Sequence, residues 1–317
     1  MKDLSWGIAA TGVIAAKVGA VIAAEPGMRV AAVGSRDLGR ARALASELGA
    51  ESAYGSYAEL CADPGVDAVY VATPHAQHLE VAEAAIAAGK AVLCEKPLAA
   101  SVADAERMVQ LARDAGVFLM EAMWTRFNPL IQRVAGDPRF GEIRSVQASF
   151  GFKAPYDPAH RLWAPELGGG ALLDLGVYSF GLAQLLLGMP SRMHVTGSLA
   201  PSGVDAEAGG VLVYPGGRRA LVECSLLGPY ANDALVVGTD MRAHIKAPFW
   251  APERVVLSGP SMETEELELD PADNGYAGEV REVRDAMAEG RTESAIMPLD
   301  ESLAMMGLLA DAREQLS

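Results

Sequence analysis

Cysteine is scarce in this sequence. Cys61, Cys94 and Cys224 are the only three among 317 residues; they cannot all pair, and no interval has the spacing of a metal-binding pair. A disulfide framework and a cysteine-built zinc site are thereby excluded. Each cysteine sits in apolar or strand-like sequence and reads as a small core residue, so a reducing, cytoplasmic setting is the simplest reading. Long apolar runs are also missing: no uncharged stretch reaches the roughly 20 residues of a membrane span. Met1-Lys2-Asp3-Leu4-Ser5-Trp6-Gly7 enters a strand pattern directly, without the apolar core and cleavage site of a signal peptide. Basic residues are outnumbered, 26 against 41 acidic ones, for a formal charge of -15. Nucleic acid and anionic membranes call for concentrated Lys and Arg, so neither is expected as a partner. No repeat or low-complexity tract is evident.

What is present is apolar periodicity. Half of the residues are hydrophobic, enough for a well-packed globule, and the length exceeds one ordinary core, so two domains are expected. Through about residue 120, strand patterns at 4–9, 29–34, 68–72, 91–94 and 117–120 alternate with helical ones at 13–24, 38–48, 79–88 and 102–115. That alternation implies a doubly wound parallel sheet of the Rossmann kind. Gly49, Gly89 and Gly116 follow last helical turns, where a left-handed residue is wanted, and Ser56-Tyr57-Ala58-Glu59 reads as a capping box. From about residue 145, short strand patterns at 145–150, 211–214, 220–227, 234–237 and 253–257 are separated by turn residues such as Pro215-Gly216-Gly217. Helical stretches lie at 171–187 and 300–315. The expected fold class is α/β: a Rossmann domain over 1–122, then an α+β domain over 123–317 built on an open, mainly antiparallel sheet. The last helix is free to pack back on the first domain.

Behind the first strand, Ala10-Thr11-Gly12-Val13-Ile14-Ala15 runs into a helix. Dinucleotide-binding turns use one Gly for the tight turn, a second for backbone approach to pyrophosphate, and a third small residue for helix–strand packing. Here these are Ala10, Gly12 and Ala15. A plain βα turn looks similar; the strand before and the helix after favour a phosphate site, with Val13 and Ile14 supplying first-turn N–H groups. At the end of the second strand, NAD-binding sheets carry an acidic residue for the ribose 2′-hydroxyl. This chain instead has Gly34-Ser35-Arg36-Asp37, with Arg40 one turn on. Ser35 can donate to a 2′-phosphate, and Arg36 and Arg40 can pair with it; Asp37 reads as the helix cap. NADP is the expected cofactor. NAD stays possible if both arginines are solvated helix-face charges.

Thr73-Pro74-His75-Ala76-Gln77-His78 follows the strand at 68–72, at the carboxyl edge where doubly wound sheets bind ligands. His75 and His78 have helix-face ligand spacing, but no carboxylate or cysteine set completes a metal site. Thr73, Pro74, His75 and His78 therefore read as a loop lining the cofactor cleft, and no metal is expected. The strand at 91–94 brings Glu95 and Lys96 to the same edge, where the proline in Glu95-Lys96-Pro97 fixes the lysine backbone. In the second half, Gly168-Gly169-Gly170-Ala171-Leu172-Leu173-Asp174-Leu175-Gly176-Val177-Tyr178 is a Gly turn entering an apolar helix. Asp174 and Tyr178 are spaced i,i+4 and share a face. They form either a buried Tyr–Asp core pair or a proton-transfer site.

Together, Gly7 to Ala15, Ala72-Thr73-Pro74, Glu95-Lys96-Pro97 and the Gly168 to Tyr178 segment resemble the glucose–fructose oxidoreductase / inositol dehydrogenase / rhizopine catabolism (Gfo/Idh/MocA) family over essentially the whole chain. Within it, Tyr54-Gly55-Ser56-Tyr57, Ala91-Val92-Leu93-Cys94-Glu95-Lys96-Pro97 and Phe118-Leu119-Met120-Glu121-Ala122-Met123-Trp124-Thr125-Arg126-Phe127 are similar to dimeric dihydrodiol dehydrogenases and NADP-dependent D-xylose dehydrogenases. The resemblance implies hydride transfer between a nicotinamide and a hydroxyl carbon of a sugar, polyol or trans-dihydrodiol. Lys96 would polarise the substrate oxygen and lower the phenol's pKa, and Tyr178 would be the general base in oxidation and the acid in reduction. Asp174 would contact substrate or orient the site; Trp124, Phe150 and Trp250 match substrate-pocket positions, though each also suits core packing. Inositol dehydrogenase-like members have histidine where Tyr178 stands, which favours the dihydrodiol and sugar branch. Ala10 departs from the family's first glycine. The resemblance further implies a homodimer or higher homo-oligomer through the C-terminal sheet. A keto-sugar reductase resembling 1,5-anhydrofructose reductase is the alternative reading. A non-catalytic cofactor-sensing protein is another, and the presence of both Lys96 and Tyr178 argues against it.

Overall fold

Almost every residue of the first parallel strands is buried in the computed structural model, which describes residues 3–270 and 273–316. β1 (Leu4–Ala9), α1 (Val13–Ala24), β2 (Met28–Gly34), α2 (Leu38–Leu48), β3 (Ser52–Tyr54), α3 (Tyr57–Ala62), β4 (Ala68–Val71), α4 (His78–Ala87), β5 (Ala91–Glu95), α5 (Val102–Ala115) and β6 (Leu119–Ala122) alternate as their apolar patterns require. The strand order is β3-β2-β1-β4-β5-β6, all parallel. The order reverses between β1 and β4, the switch point at which such sheets bind ligands. Gly49, Gly89 and Gly116 have φ of 69°, 72° and 63°, as helix-ending residues. Ser56 Oγ accepts from the Glu59 amide at 3.2 Å and donates to its carboxylate at 3.0 Å. β3 was not expected; three half-buried edge residues are too few to register as a period.

The chain forms two compact units. The first runs through Trp124 and takes in Tyr276–Leu303; the second comprises Thr125–Gly275 and the chain from Ala304. The sequence reading instead had a single break between 122 and 123. The returning segment is tied into the first unit by ion pairs of Arg281 with Glu25 and of Arg113 with Glu293 and Asp300. The Leu119 amide also donates to the Thr292 carbonyl.

In the second unit, α6 (Pro129–Gly136) precedes β7 (Ile143–Gly151), and a π-helical turn (Leu172–Gly176) leads into α7 (Val177–Leu187). Then come β8 (Arg192–Leu199), β9 (Asp205–Val213), β10 (Arg219–Ser225), β11 (Ala234–Gly238), β12 (Arg242–Ile245), β13 (Arg254–Gly259) and β14 (Met262–Glu268). α8 (Gly275–Ala288) belongs to the first unit from Tyr276 on, and α9 (Leu299–Glu314) ends the described helices. The eight strands run β14-β13-β12-β11-β7-β10-β9-β8, antiparallel except for β7 with β10. α7 packs on β7 and β10. Pro165–Leu187 is apolar and long enough by composition to cross a membrane, but 89% of its apolar window is buried inside the protein. Its apolarity serves the core, and Glu166 and Asp174 interrupt it, so it is not an uncharged stretch of that length.

Candidate active site

α1 begins at Gly12 with no side-chain cap, so its first-turn N–H groups are not met by a capping oxygen. A Cβ on Gly12 would meet nothing within 4 Å, and Val13 beside it is 89% exposed. This open, uncapped helix start fits a dinucleotide pyrophosphate. Ala10 holds φ at 122°, a region that favours glycine. The departure from the fingerprint is therefore one of residue and not of backbone: alanine adopts the turn that glycine would take, at some local strain.

At the end of β2 the two arginines are exposed, and Asp37 caps α2 by accepting from the Gly39 and Arg40 amides at 2.8 and 3.1 Å. Arg40 Nη2 reaches back to the Thr11 carbonyl at 3.4 Å. Tyr57, at the start of α3, joins them. Burial raises its pKa, while the charges of Arg36 and Arg40 and a hydrogen bond from Arg36 pull it back. Ser35, Arg36, Arg40 and Tyr57 thus gather donors that fit a 2′-phosphate.

His75 and His78 sit edge to face at 5.7 Å. The His78 ring is fully buried; Nδ1 faces the Pro97 and Leu98 carbonyls at 3.1 and 3.3 Å, and Nε2 the Thr73 carbonyl at 3.0 Å. Burial lowers its pKa to about 4. His78 is therefore neutral and packed between the Thr73 loop and the Lys96-Pro97 loop, its single N–H able to donate to the carbonyls on one side only. Among the described residues, no group of three or more His, Cys, Asp or Glu is arranged to hold a metal ion.

Lys96 is half-buried at the end of β5, and its amide donates to Glu95 Oε2 at 3.2 Å. Tyr70, fully buried on β4, donates to Glu95 Oε1 at 2.5 Å. Glu279 of α8 completes a buried acidic cluster: neither of its carboxyl oxygens has a hydrogen bond, and burial, then the Glu95 charge, holds its pKa well above the usual range. Trp124 lies in this first unit with its ring stacked on Tyr276 at 4.1 Å.

In the second unit, Asp174 lies within the π-helical turn and Tyr178 one turn later at the start of α7; both are buried. The π turn replaces the regular helix start expected from the sequence, and such turns recur at functional sites. The Tyr178 ring stands 5.7 Å from Phe150 and 6.3 Å from Trp250, which stack on each other at 3.4 Å. Trp250 is fixed from behind, its carbonyl accepting from Thr125 Oγ1 at 2.6 Å. Phe150, Trp250, Asp174 and Tyr178 thus lie in the second unit, whereas Lys96 and Trp124 lie in the first.

Residues 4–123 match the oxidoreductase family with an NAD-binding Rossmann fold, and residues 130–244 match the Gfo/Idh/MocA C-terminal domain. The chain belongs to the Gfo/Idh/MocA oxidoreductase family. It is 37% identical to trans-1,2-dihydrobenzene-1,2-diol dehydrogenase of Mus musculus and 36% identical to that of Homo sapiens, each over 98% of this chain and 96% of the relative. Its structure resembles a 3-ketoreductase from Actinomadura kijaniata in complex with NADP and TDP-benzene, with a TM-score of 0.87 and 29% identity over 99% of this chain and 98% of that one. An aldose-aldose oxidoreductase from Caulobacter crescentus matches with a TM-score of 0.88 and 25% identity over 99% and 97%.

Three residues that meet the candidate residues of this Gfo/Idh/MocA chain or the π turn of Asp174, each within its own unit, were not singled out by the motifs. Asp205 of β9 is buried, and its Oδ2 accepts from the Leu172 amide at 2.5 Å, capping the π turn from across the sheet. That contact explains Gly170: its φ is 126°, and a Cβ would lie 2.4 Å from Asp205 Oδ1. Arg161 pairs with Asp174, Nη1 to Oδ1, at 2.9 Å. Tyr57 was legible as a helix-opening residue, but its meeting with Arg36 is a tertiary contact.

Proposed function

We propose that this protein is an NADP-dependent oxidoreductase that transfers a hydride between the nicotinamide and a hydroxyl carbon of a sugar, polyol or trans-dihydrodiol. The observation that carries this reading is the buried Tyr178, one turn from Asp174 and set against the Phe150–Trp250 stack. A phenol beside aromatic faces suits the C–H surface of a ring substrate, and its hydroxyl is a group that can carry a proton. Gly12, Val13 and Ile14 would hold the pyrophosphate, and Ser35, Arg36, Arg40 and Tyr57 the 2′-phosphate. Thr73, Pro74, His75, Glu95 and Lys96 would line the remaining cofactor contacts, with His78 packed between two of those loops. When bound, NADP supplies the hydride acceptor or donor. Lys96 holds the substrate oxygen and supports negative charge on it. Tyr178 takes the hydroxyl proton in oxidation and returns it in reduction. The same groups reduce a keto-sugar, a direction favoured by the likeness to the NADP-bound 3-ketoreductase.

The test is NADPH formation by purified protein with D-xylose, D-glucose and a trans-dihydrodiol. Lys96→Met is expected to lower turnover at least about 100-fold, since it removes the charge opposite the developing oxyanion; turnover equal to wild type would contradict this mechanism. Arg36→Ala is expected to lower kcat/KM for NADP about 10- to 100-fold, the worth of one charge-assisted phosphate contact, and to leave NAD unaffected. An unchanged NADP/NAD ratio would overturn the cofactor assignment.

A homodimer or higher homo-oligomer through the second sheet is part of the proposal. Its open face is concave, about 750 Å³, and lined by Val211, Leu221, Leu235 and Val256 beside Glu223 and Arg242. Apolar side chains on an open sheet face are covered most simply by the same face of a second copy. A monomer by light scattering at micromolar concentration would contradict it. The buried free cysteines support a reducing, cytoplasmic setting, which cell fractionation would test.

A further inference from the structure

The turn that carries Asp174 is wider than the helix it opens. Leu172–Gly176 is π-helical, and the Val177 amide closes it on the Leu172 carbonyl five residues back. Such turns are rare, and each holds one residue more than an α-helical turn. Relaxation to α geometry would therefore rotate the chain after the turn, relative to the chain before it, by about 100°. It would also shift it by about 1.5 Å, the rise of one helical residue. Asp174 lies inside the turn and Tyr178 just beyond it. Their relative placement thus depends on the turn keeping its extra residue.

Two strands of the second sheet hold the turn at its two ends. At the start, Asp205, the first residue of β9, is fully buried, and its Oδ2 accepts from the Leu172 amide at 2.5 Å. Leu172 opens the turn, so its N–H is a first-turn donor of the kind a helix leaves without an internal partner. At the other end, Gly176 lies against Cys224 of β10: a Cβ there would stand 3.2 Å from Cys224 Sγ and 3.3 Å from Leu172 Cδ2. The Gly176 carbonyl accepts from Ser179 Oγ at 3.2 Å. β9 and β10 are paired, with Cys224 opposite Ala208, so both anchors stand on one hydrogen-bonded ladder. Asp205 is a costly way to make the first of them. Its Oδ1 is buried without a hydrogen-bond partner, and burial raises its pKa, opposed first by the Leu172 amide. A carboxyl held in the core on these terms destabilises the fold; what it contributes is an acceptor at the entry to the π turn.

We propose that Asp205 is a positioning residue for Tyr178: by capping Leu172 it fixes the register of the π turn, and with it the direction in which the phenol is presented. The inference rests on the proposed function in taking Tyr178 as the proton carrier. The register itself can be read without turnover.

The test uses the full chain with fluorotyrosine at position 178, whose fluorine resonance reports the surroundings of that ring. In parallel, kcat, KM, NADP affinity and the pH profile of kcat are measured on the unlabelled protein. Asp205→Ala is expected to move the resonance and lower kcat about 10- to 100-fold, since a misplacement near 1 Å can cost about 100-fold. KM and NADP affinity should stay within about threefold, and the limb of the pH profile that reports the base should shift. Asp205→Asn keeps the accepting oxygen, and should return the resonance and recover most of the lost kcat. If the alanine variant does not fold, Gly176→Ala presses on the same turn from its other end and should move the resonance and kcat in the same sense. A resonance left in place by the variant that folds overturns the inference. So does a loss shared equally by kcat, KM and NADP affinity, which reports general damage, or an asparagine variant as impaired as alanine. If wild type forms no NADPH with any substrate, the proposed function fails. A resonance moved by alanine and returned by asparagine would still support Asp205 as the residue that holds the register.

Discussion

Tyr178→Phe is expected to lower kcat by about 100- to 10,000-fold, the span of a positioned general acid–base, equivalent to about 3–5 kcal/mol of transition-state stabilisation. The substitution removes one oxygen and keeps the ring. The ring is what packs, at 5.7 Å from Phe150 and 6.3 Å from Trp250, so the fold and the aromatic platform should persist. KM should therefore change little, and NADP affinity less, since the groups of α1 and β2 proposed to hold its phosphates belong to the other unit. Loss concentrated in kcat identifies an interaction made in the transition state and not in the ground state. The pH profile gives an independent reading. If Tyr178 carries the proton, the limb of the wild-type kcat profile that reports the base is absent from the variant. A variant within threefold of wild type, or one that keeps that limb, would assign the proton to another group.

How much of this was legible in the sequence depends on how local each feature is. α2 and α5 were bounded to the residue because a cap and helix-ending glycines lie next to the helices they serve: Asp37, Gly49 and Gly116 announce themselves. β1 was equally clear, being an apolar run before a turn. β8 and β14 were missed because they are edge strands with mixed exposure, and Met262–Glu268 is mostly charged; edge strands resist an apolar pattern for good reason, since charge there prevents edge-to-edge association. α8 was missed although its buried face includes Val280 and Val283, because Glu279 interrupts that face with a residue that reads as surface. At the candidate site, Lys96, Asp174 and Tyr178 were singled out through motifs. Arg161, Asp205 and Tyr57 were not, because what matters about them is a contact across 13, 33 and 21 residues of chain respectively.

Glu279→Gln is expected to stabilise the protein by an amount that grows with pH. Both carboxyl oxygens of Glu279 lack a hydrogen bond, and the group is fully buried. Burial first, and the Glu95 charge second, raise its pKa well above the usual range. Glu95 already collects the available donors, Tyr70 at 2.5 Å and the Lys96 amide at 3.2 Å, so a second carboxylate beside it would be uncompensated, and Glu279 keeps its proton in the fold. In the unfolded chain that proton leaves near pH 4.3. Below that value both states are protonated and the group carries no penalty. Above it the native state binds one proton more, so stability falls as pH rises, by about 1.4 kcal/mol per pH unit until the raised folded value is reached. Glutamine does not titrate, so the gap between variant and wild type should widen as pH rises above the unfolded value in urea denaturation. His78 titrates in the opposite sense: its folded value of about 4 means that stability is lost as pH falls through its unfolded value. It does so in both proteins and cancels from the difference. A gap constant with pH would mean that Glu279 is ionised in the fold. A widening gap would show that the acidic cluster of Glu95 and Glu279 holds one negative charge and not two, at a standing cost in stability beside the strand that leads to Lys96.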